Sequence, residues 1–208
     1  MITSIPIEAI EWQLLQQLSS FFFLDKEDVL LINIKIGGAV SRCEYCFSHT
    51  KNKYYLCDGK TYFNPYQSAQ YTIFLYFFAN TISQDTHNRS LADKLYYLNK
   101  IMNECDLYHE ENLPNYFTLD HPVGSVMGRA EYGEGFNFGQ GCTVGNNRGI
   151  YSIIGQNVST CANSSIIENC HIGNDVIIGA NSGIKDEDIP DSCIVFGYSP
   201  NLIIKQKK

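Results

Sequence analysis

Few residues in this sequence have types and spacings that suggest chemistry. Cys43-x2-Cys46-x2-His49, followed by Cys57, offers ligands of the kind Zn²⁺ takes. No second CxxC pair follows and the segment reads as one helix, so packing thiols are the preferred reading and no metal is expected. Cys142 and Cys161 are conceivable nucleophiles, which would imply an acyl-enzyme. Both fit repeat positions that call for small side chains. Of the five histidines, His49, His87 and His109 have no convincing partner in sequence, and His171 is expected to point outward. His121 stands between Asp120 and Pro122. In isolation it reads as a surface histidine before a turn, so its meaning depends on what holds it.

The elements that must position these residues fall into two grammars. Residues 1–105 hold most of the aromatics and read mainly as helices. Ser4 caps a first helix with Pro6 in its opening turn, and Ile7, Ile10, Leu14, Leu15 and Leu18 follow at helical spacing. Asp25-Lys26-Glu27-Asp28 looks like a second start, although Ile32, Ile34 and Ile36 are β-branched; helix is the preferred reading of Val29–Phe47. Asn64-Pro65-Tyr66-Gln67 is a third start, leading into a run through Thr81 that is apolar on most sides and so buried. Ser90 opens a fourth, carrying Leu95, Leu98, Ile101 and Met102.

Residues 106–208 carry a period of six. Val126, Tyr132, Phe138 and Val144, then Ile154, Thr160, Ile166, Ile172, Ile178 and Ile184, stand in register, and glycine follows at Gly133, Gly139, Gly145, Gly155, Gly173 and Gly179. Ala130, Cys142, Val158, Ser164, Cys170, Val176 and Ser182 supply compact residues four places on. Neither a helix nor an alternating strand makes this period; a parallel β-helix does. The aliphatic residue points into a narrow prism, and glycine is expected at a corner with positive φ. The register breaks between Val144 and Ile154, which are ten residues apart instead of six. The extra four leave the coil as a loop within Gly145–Ser152, a place to look for function.

Composition sets limits on partners. The chain has 208 residues, 44% of them hydrophobic, and a formal charge of −7. That supports a sizeable core and disfavours nucleic-acid binding, since an acidic surface repels phosphate. The longest apolar run, residues 71–79, is far short of the ~20 residues that span a bilayer. The N-terminus lacks a basic region and carries Glu8 and Glu11, unlike a secretion signal. Eight cysteines are then expected as reduced thiols in the cytoplasm.

Thr118-Leu119-Asp120-His121-Pro122-Val123-Gly124, the repeat after it and Phe63-Asn64-Pro65-Tyr66-Gln67-Ser68-Ala69-Gln70-Tyr71 before it resemble serine acetyltransferases, a branch of the hexapeptide acyltransferases. Thr143-Val144-Gly145 and Ile178-Gly179-Ala180-Asn181-Ser182 also fit, and the likeness covers roughly residues 60–204. It implies an α+β chain in which an N-terminal helical domain precedes a left-handed parallel β-helix, an exception to right-handed crossovers. It implies homotrimers, often paired through the helical half, with acetyl-CoA as co-substrate between coils of neighbouring subunits. Asp106, fifteen residues before His121, takes the family's catalytic aspartate position. Asp120 takes a role in acceptor binding or in placing the histidine. Ala162 and Ala180 fit small positions lining the pantetheine groove, and Lys185 with the basic tail is a candidate for the nucleotide phosphates.

Acetyl transfer to an alcohol needs a base, and a neutral imidazole, with an ordinary pKa near ~6.5, typically contributes about 10²–10⁴-fold. His121 is the candidate base, with a carboxylate behind it to fix the tautomer. A backbone N–H, at Gly145, is the candidate oxyanion donor. Direct transfer is preferred to an acyl-enzyme. The loop departs from the resemblance: Ile150 and Tyr151 stand where the branch has Arg-His, and Arg148 is two places early. A carboxylate acceptor wants a positioned arginine, whereas Tyr151, Asn146 and Asn147 suit a sugar. The expected activity is therefore O-acetylation of a sugar, in a bacterial surface polysaccharide such as capsule or O-antigen. Serine O-acetylation is the alternative, and a catalytically silent trimeric scaffold is a third reading.

Overall fold

The computed structural model describes residues 1–86, 88–146 and 149–207. They form two units: Met1–Asn103 with Tyr108–Glu110, and Glu104–Leu107 with Glu111–Lys208.

The first unit holds four α-helices, α1 (Ile7–Phe21), α2 (Lys26–Ser48), α3 (Ser68–Thr86) and α4 (Arg89–Asn103). The ambiguous stretch after Asp25 is helical because its start is strongly capped. Asp28 N donates to Asp25 Oδ1 at 2.9 Å and Asp25 N returns to Asp28 Oδ2 at 3.3 Å, a reciprocal box that satisfies two orphan donors. The β-branched Ile32 and Ile36 then bury on one face. Helix α3 is buried continuously from Gln70 to Ile82, as its apolar character on most sides requires.

Three helix starts differ from expectation. Ser4 caps nothing: residues Ile2–Thr3 pair in parallel with Tyr62–Phe63, and Ser4 closes that ladder through its N–H to Phe63 O and its Oγ to Asn64 Oδ1. Pro6 is the N-cap of α1 instead. Asn64 Oδ1 accepts from Tyr66 N, making an Asx turn ahead of α3. The capping passes to Gln67, whose Oε1 accepts from Gln70 N at 2.6 Å. At α4, Asn88 Oδ1 takes Leu91 N at 3.0 Å, so Ser90 lies inside the helix. At α3 and α4 a second acceptor lay within reach of the same orphan donors. Along α4, Leu91, Leu95 and Leu98 are buried, whereas Ile101 and Met102 are exposed.

The second unit is a parallel solenoid consistent with the left-handed β-helix of hexapeptide repeats. Its strands stack into three sheets, each with one inward column. Met127, Val144, Ile166 and Ile184 line the first sheet. Tyr132, Ile154, Ile172 and Ile189 line the second. Leu119, Phe138, Thr160, Ile178 and Val195 line the third. All these residues except Tyr132 are buried; each aliphatic one removed from water contributes about 1.5–3 kcal/mol. Strand Ile203–Gln206 closes the third sheet, antiparallel to Cys193–Phe196.

The register differs from the sequence reading at its start. Val126 is 40% exposed and Met127 holds the interior slot at 1%. Leu119 and Met127 are eight residues apart, against six from Phe138 to Val144, so the corner between them carries two more residues. That corner contains His121. The break after Val144 is present as expected: strands Thr143–Gly145 and Ser152–Ile154 are both in regular register, and the additional residues lie between them.

The repeat glycines also have a different reason than positive φ. None of the six is among the positive-φ residues; the left-handed corner positions belong to Asn157, Asn163, Asp175 and Asn181, with φ of 54–57°, as short polar side chains tolerate. The glycines at the edge between the second and third sheets answer to sterics. A Cβ on Gly155 would lie 2.8 Å from the Gly173 carbonyl carbon, whereas one on Gly145 would meet nothing nearer than 3.8 Å. We expect Gly155→Ala to lower stability by about 1–3 kcal/mol through backbone displacement. Gly145→Ala should stay within about 0.5 kcal/mol. Urea unfolding at one fixed protein concentration checks both, and equal midpoints for the two variants would refute the steric account.

Candidate active site

The sheet order gives the prism three edges, and chemistry-bearing residues gather on two. The edge between the third and first sheets carries His121 on the first coil and Gly139–Cys142 on the second. Cys161–Ser164 follow on the third coil and Gly179–Ser182 on the fourth. Ala162 and Ala180 thus share an edge with His121. Ala162 is half-buried and Ala180 exposed. Ladder bonds hold the stack: Gly141 N donates to Val123 O, Asn163 N to Gln140 O and Asn181 N to Ala162 O, all at 2.9 Å.

His121 itself has φ +53°. A non-glycine residue in the left-handed region is uncommon, though histidine is among the enriched types. The corner is locked around it. Its carbonyl accepts from Val123 N at 2.8 Å, and Gly124 N donates to Glu104 O at 2.8 Å. Asp106 N donates to Ser125 O at 2.8 Å, so Asp106 begins the strand stacked on Val126, one coil away on the same edge as His121. The backbone therefore brings Asp106 and His121 to neighbouring coils. Among the described residues the ring of His121 makes no side-chain hydrogen bond, to Asp106 or to others. The imidazole is exposed and Asp106 half-buried. Asp120 is exposed, its N–H held by Phe138 O and its Oδ2 at 3.5 Å from Asn137 Nδ2.

The remaining expected residues lie on the edge between the first and second sheets, or beside it. Gly145 ends a strand of the first sheet, and its carbonyl accepts from Glu168 N at 2.9 Å. Asn146 is half-buried, with Oδ1 taking Gly149 N at 3.3 Å. Tyr151 is 41% exposed. Arg148 and Asn147 lie outside the described residues, as does His87. Lys185 is exposed on the outermost coil of the first sheet, its N–H bonded to Ser199 Oγ at 2.9 Å.

Comparison with known proteins settles the repeat. The family description "Bacterial transferase hexapeptide (six repeats)" matches residues 151–186. The matched stretch lies within the C-terminal solenoid. A curated relative, the bifunctional protein GlmU of Prochlorococcus marinus (strain MIT 9313), is 33% identical over 82 residues, covering 38% of this chain and 18% of its own length. The match thus spans less than a fifth of that relative. Among solved structures, the serine acetyltransferase of Neisseria gonorrhoeae aligns over 86% of this chain and 71% of its own. Its TM-score is 0.68 at 22% identity. A serine acetyltransferase in complex with CoA aligns over 85% and 75%, with TM-score 0.66 and 17% identity. The Entamoeba histolytica isoform 3 aligns over 96% and 74%, with TM-score 0.63 and 18% identity. At these identities the likeness establishes a shared fold.

The histidine and cysteine expectations meet a mixed outcome. His109 has a partner after all: it is fully buried in the helical unit, with Nε2 3.0 Å from Asp93 Oδ1. The two are sixteen residues apart, on different elements, so no local spacing announced the pair. Cys142 is buried as a packing thiol, its Sγ 3.0 Å from Cys161 O. Cys161 is instead exposed, because the residue after inward Thr160 turns outward at the corner. Cys43 and Cys46 are fully buried in α2, where desolvation pushes the Cys43 thiol well up. Burial pushes Cys105 up to about 12.

One cluster escaped the sequence reading. Arg129 Nε donates to Glu111 Oε1 at 2.9 Å, and the register that pairs Ser152 with Ala130 sets Tyr151 beside Arg129. Tyr151 first and Glu111 next hold it above the usual guanidinium range. Counting one coil plus the inserted residues back from Tyr151 lands on Arg129, so the signal was present once the coil length was known.

The thiols offer a direct check of the histidine edge. Thiolate is the reactive form, and burial holds the Cys161 thiol above its ordinary value. In a Cys57→Ser background, which removes the half-buried thiol, an aromatic disulfide reagent should label Cys161 ahead of the buried cysteines, faster as the pH rises, and Cys161→Ser should remove that fast phase. A fast phase surviving the substitution would contradict the register assigned here.

Proposed function

We propose that this chain is an acetyl-CoA-dependent O-acetyltransferase acting on a hydroxyl of a sugar, in a bacterial surface polysaccharide. The single observation carrying the reading is the shared edge. His121 sits on an enlarged corner, Asp106 on the neighbouring coil, and Gly139, Ala162 and Ala180 continue the line with small residues. A narrow ligand laid along that edge meets little side-chain bulk, which fits the extended pantetheine of CoA.

Bound acetyl-CoA supplies the acetyl group as a thioester with the CoA thiol as leaving group. His121 takes the proton from the acceptor hydroxyl as its oxygen attacks the carbonyl carbon. Asp106 turns to the imidazole when substrate is present and stabilises the charge it gains; such contacts tighten on binding. The Gly145 N–H stands for the donor to the oxygen on which negative charge develops. The proton leaves His121 with the departing sulfur, so transfer is direct and the histidine is regenerated. Asp120 works beside the base, and Lys185 meets the phosphates.

The acceptor side uses Asn146, Arg148 and Tyr151. In one chain Asn146 and Tyr151 lie on a different edge from His121, so a site using both is completed by a second copy, as in a homotrimer. Exposed Ile150 and Tyr151 offer an apolar and aromatic surface of the kind sugars stack on, which supports a sugar. A second reading, serine O-acetylation, draws support from the solved serine acetyltransferases, one of them in complex with serine.

Release of CoA from acetyl-CoA, measured with sugar acceptors and with L-serine, tests this. His121→Ala should lower turnover by about 10²–10⁴-fold, and equal turnover would remove the base. L-serine outrunning every sugar would transfer the conclusion to the second reading. CoA should also slow labelling of Cys161, which neighbours Ala162, and unchanged labelling would place the donor elsewhere.

A further inference from the structure

The corner of His121 is tied to the next coil by a buried hydroxyl that takes no part in the proposed chemistry. On this edge one interior position per coil is held by Ser125, Cys142, Ser164 and Ser182, all buried. The carbonyl of each receives an N–H from the coil before it: Asp106 to Ser125 at 2.8 Å, Val126 to Cys142 at 2.9 Å, Thr143 to Ser164 at 3.0 Å and Ser165 to Ser182 at 2.9 Å. Two of these residues close a turn directly, Ser125 N on Pro122 O at 3.0 Å and Ser164 N on Cys161 O at 3.2 Å. The turn on the coil between them is different. Cys142 N donates to Ser125 Oγ at 3.1 Å, and that hydroxyl donates to Gly139 O at 2.6 Å. The Ser125 side chain is thus inserted where the second coil would otherwise close its own turn. The Ser164 hydroxyl donates within its own turn, to Cys161 O at 2.7 Å, and the Ser182 hydroxyl has no partner among the described residues. Within this column the insertion is specific to the coil of His121.

The backbone bonds around the corner form with any residue at position 125; the hydroxyl bridge does not. A hydroxyl donates and accepts at once, so it serves the buried Gly139 carbonyl and the buried Cys142 N–H together. An alanine there would leave both to find each other or water, since neither can stay unpaired without cost. Closing Cys142 N onto Gly139 O would expel the side chain at 125 and free the corner to shift against the second coil. His121 stands four residues before Ser125 with its left-handed φ, and Asp106 N hangs from the Ser125 carbonyl. One residue therefore sets both neighbours. We infer that Ser125 is a positioning residue for acetyl transfer: its hydroxyl fixes the corner of His121, and its carbonyl the strand of Asp106, in the alignment that base and carboxylate need. The inference rests on the acetyltransferase reading and deepens it. Ser125 touches no reacting atom. Its effect passes through the place of the imidazole, where a misplacement of about 1 Å can cost about 10²-fold.

Two readouts on the full chain test this. The first is steady-state release of CoA from acetyl-CoA, with D-glucose and L-serine as probe acceptors. Ser125→Ala should lower kcat by about 10–10²-fold and leave KM for acetyl-CoA within about twofold, because alignment is lost and donor binding is not. The second needs no turnover: the imidazole resonances of the five histidines by NMR, with that of His121 assigned through His121→Ala. In Ser125→Ala the His121 resonance should move further than the other four. Ser125→Cys keeps the size but is a weaker donor and acceptor, so it should fall between in both readouts. Circular dichroism confirms that each variant is folded, and Ser125→Cys carries the test if Ser125→Ala is not. A variant that loses thermal stability yet keeps kcat would make Ser125 merely structural and overturn the inference. So would a rise in KM at constant kcat, or a His121 resonance that stays in place. Wild-type protein that transfers acetyl to neither probe, while the His121 resonance still moves in Ser125→Ala, would count against the acetyltransferase reading and uphold the placement of His121 by Ser125.

Discussion

Coil-on-coil stacking of inward side chains is the constraint from which the rest of the solenoid follows. Each strand must present its interior residue directly over the one before, since a slip by one residue would send the buried column to solvent. The ladder bonds enforce the same spacing through the corners. Extra residues therefore cannot enter a face. They can leave only at an edge, and they do so twice near chemistry-bearing residues, at the corner of His121 and in the segment before Tyr151. Between these departures the repeat has one job, which is to keep distant sequence positions in line.

The same narrowness decides which small residue stands where. At one edge the backbones of successive coils approach too closely for a Cβ, and Gly133, Gly155 and Gly173 stack there. Two residues after Gly155 and Gly173 on that edge, and again on the edge of His121, the chain turns through the left-handed region, and asparagine or aspartate holds the turn. Asn163 donates to Asn181 and Asn157 to Asp175 along the stack. His121 is the exception in this series. It adopts a left-handed φ in addition to Gly124, at a corner longer than the regular ones. Strain of this kind persists only where the surroundings over-determine it, and the three backbone bonds around the corner supply that.

The helical unit follows different rules. Its polar groups are buried in pairs between elements remote in sequence. Asp28, 1% exposed, meets Lys94 as well as its own helix start, and His109 meets Asp93. A buried carboxylate is tolerable when it is paired and hydrogen-bonded. Arg42 lies over the Phe77 ring and donates to Asn80 and Thr81. These contacts join elements that local periodicity treats as independent, which is why only the hydrophobic faces of the helices could be anticipated.

By itself the sequence determined the two grammars, the sixfold period, most of the inward column from Phe138 to Ile184, and the place where the loop departs. Each of these is a local or periodic property that a single chain displays without partners. Tertiary structure alone decided that Met127 displaces Val126, that the helix caps pass to Gln67 and Asn88, and that Cys161 faces out. It also decided which separated residues meet: Asp106 beside the corner of His121, Asp93 at His109, and Glu111 with Arg129 and Tyr151. The reason is physical: a corner's length and a cap's acceptor are settled by competition among neighbours, and contacts between coils depend on how many residues each turn takes, which no local pattern states.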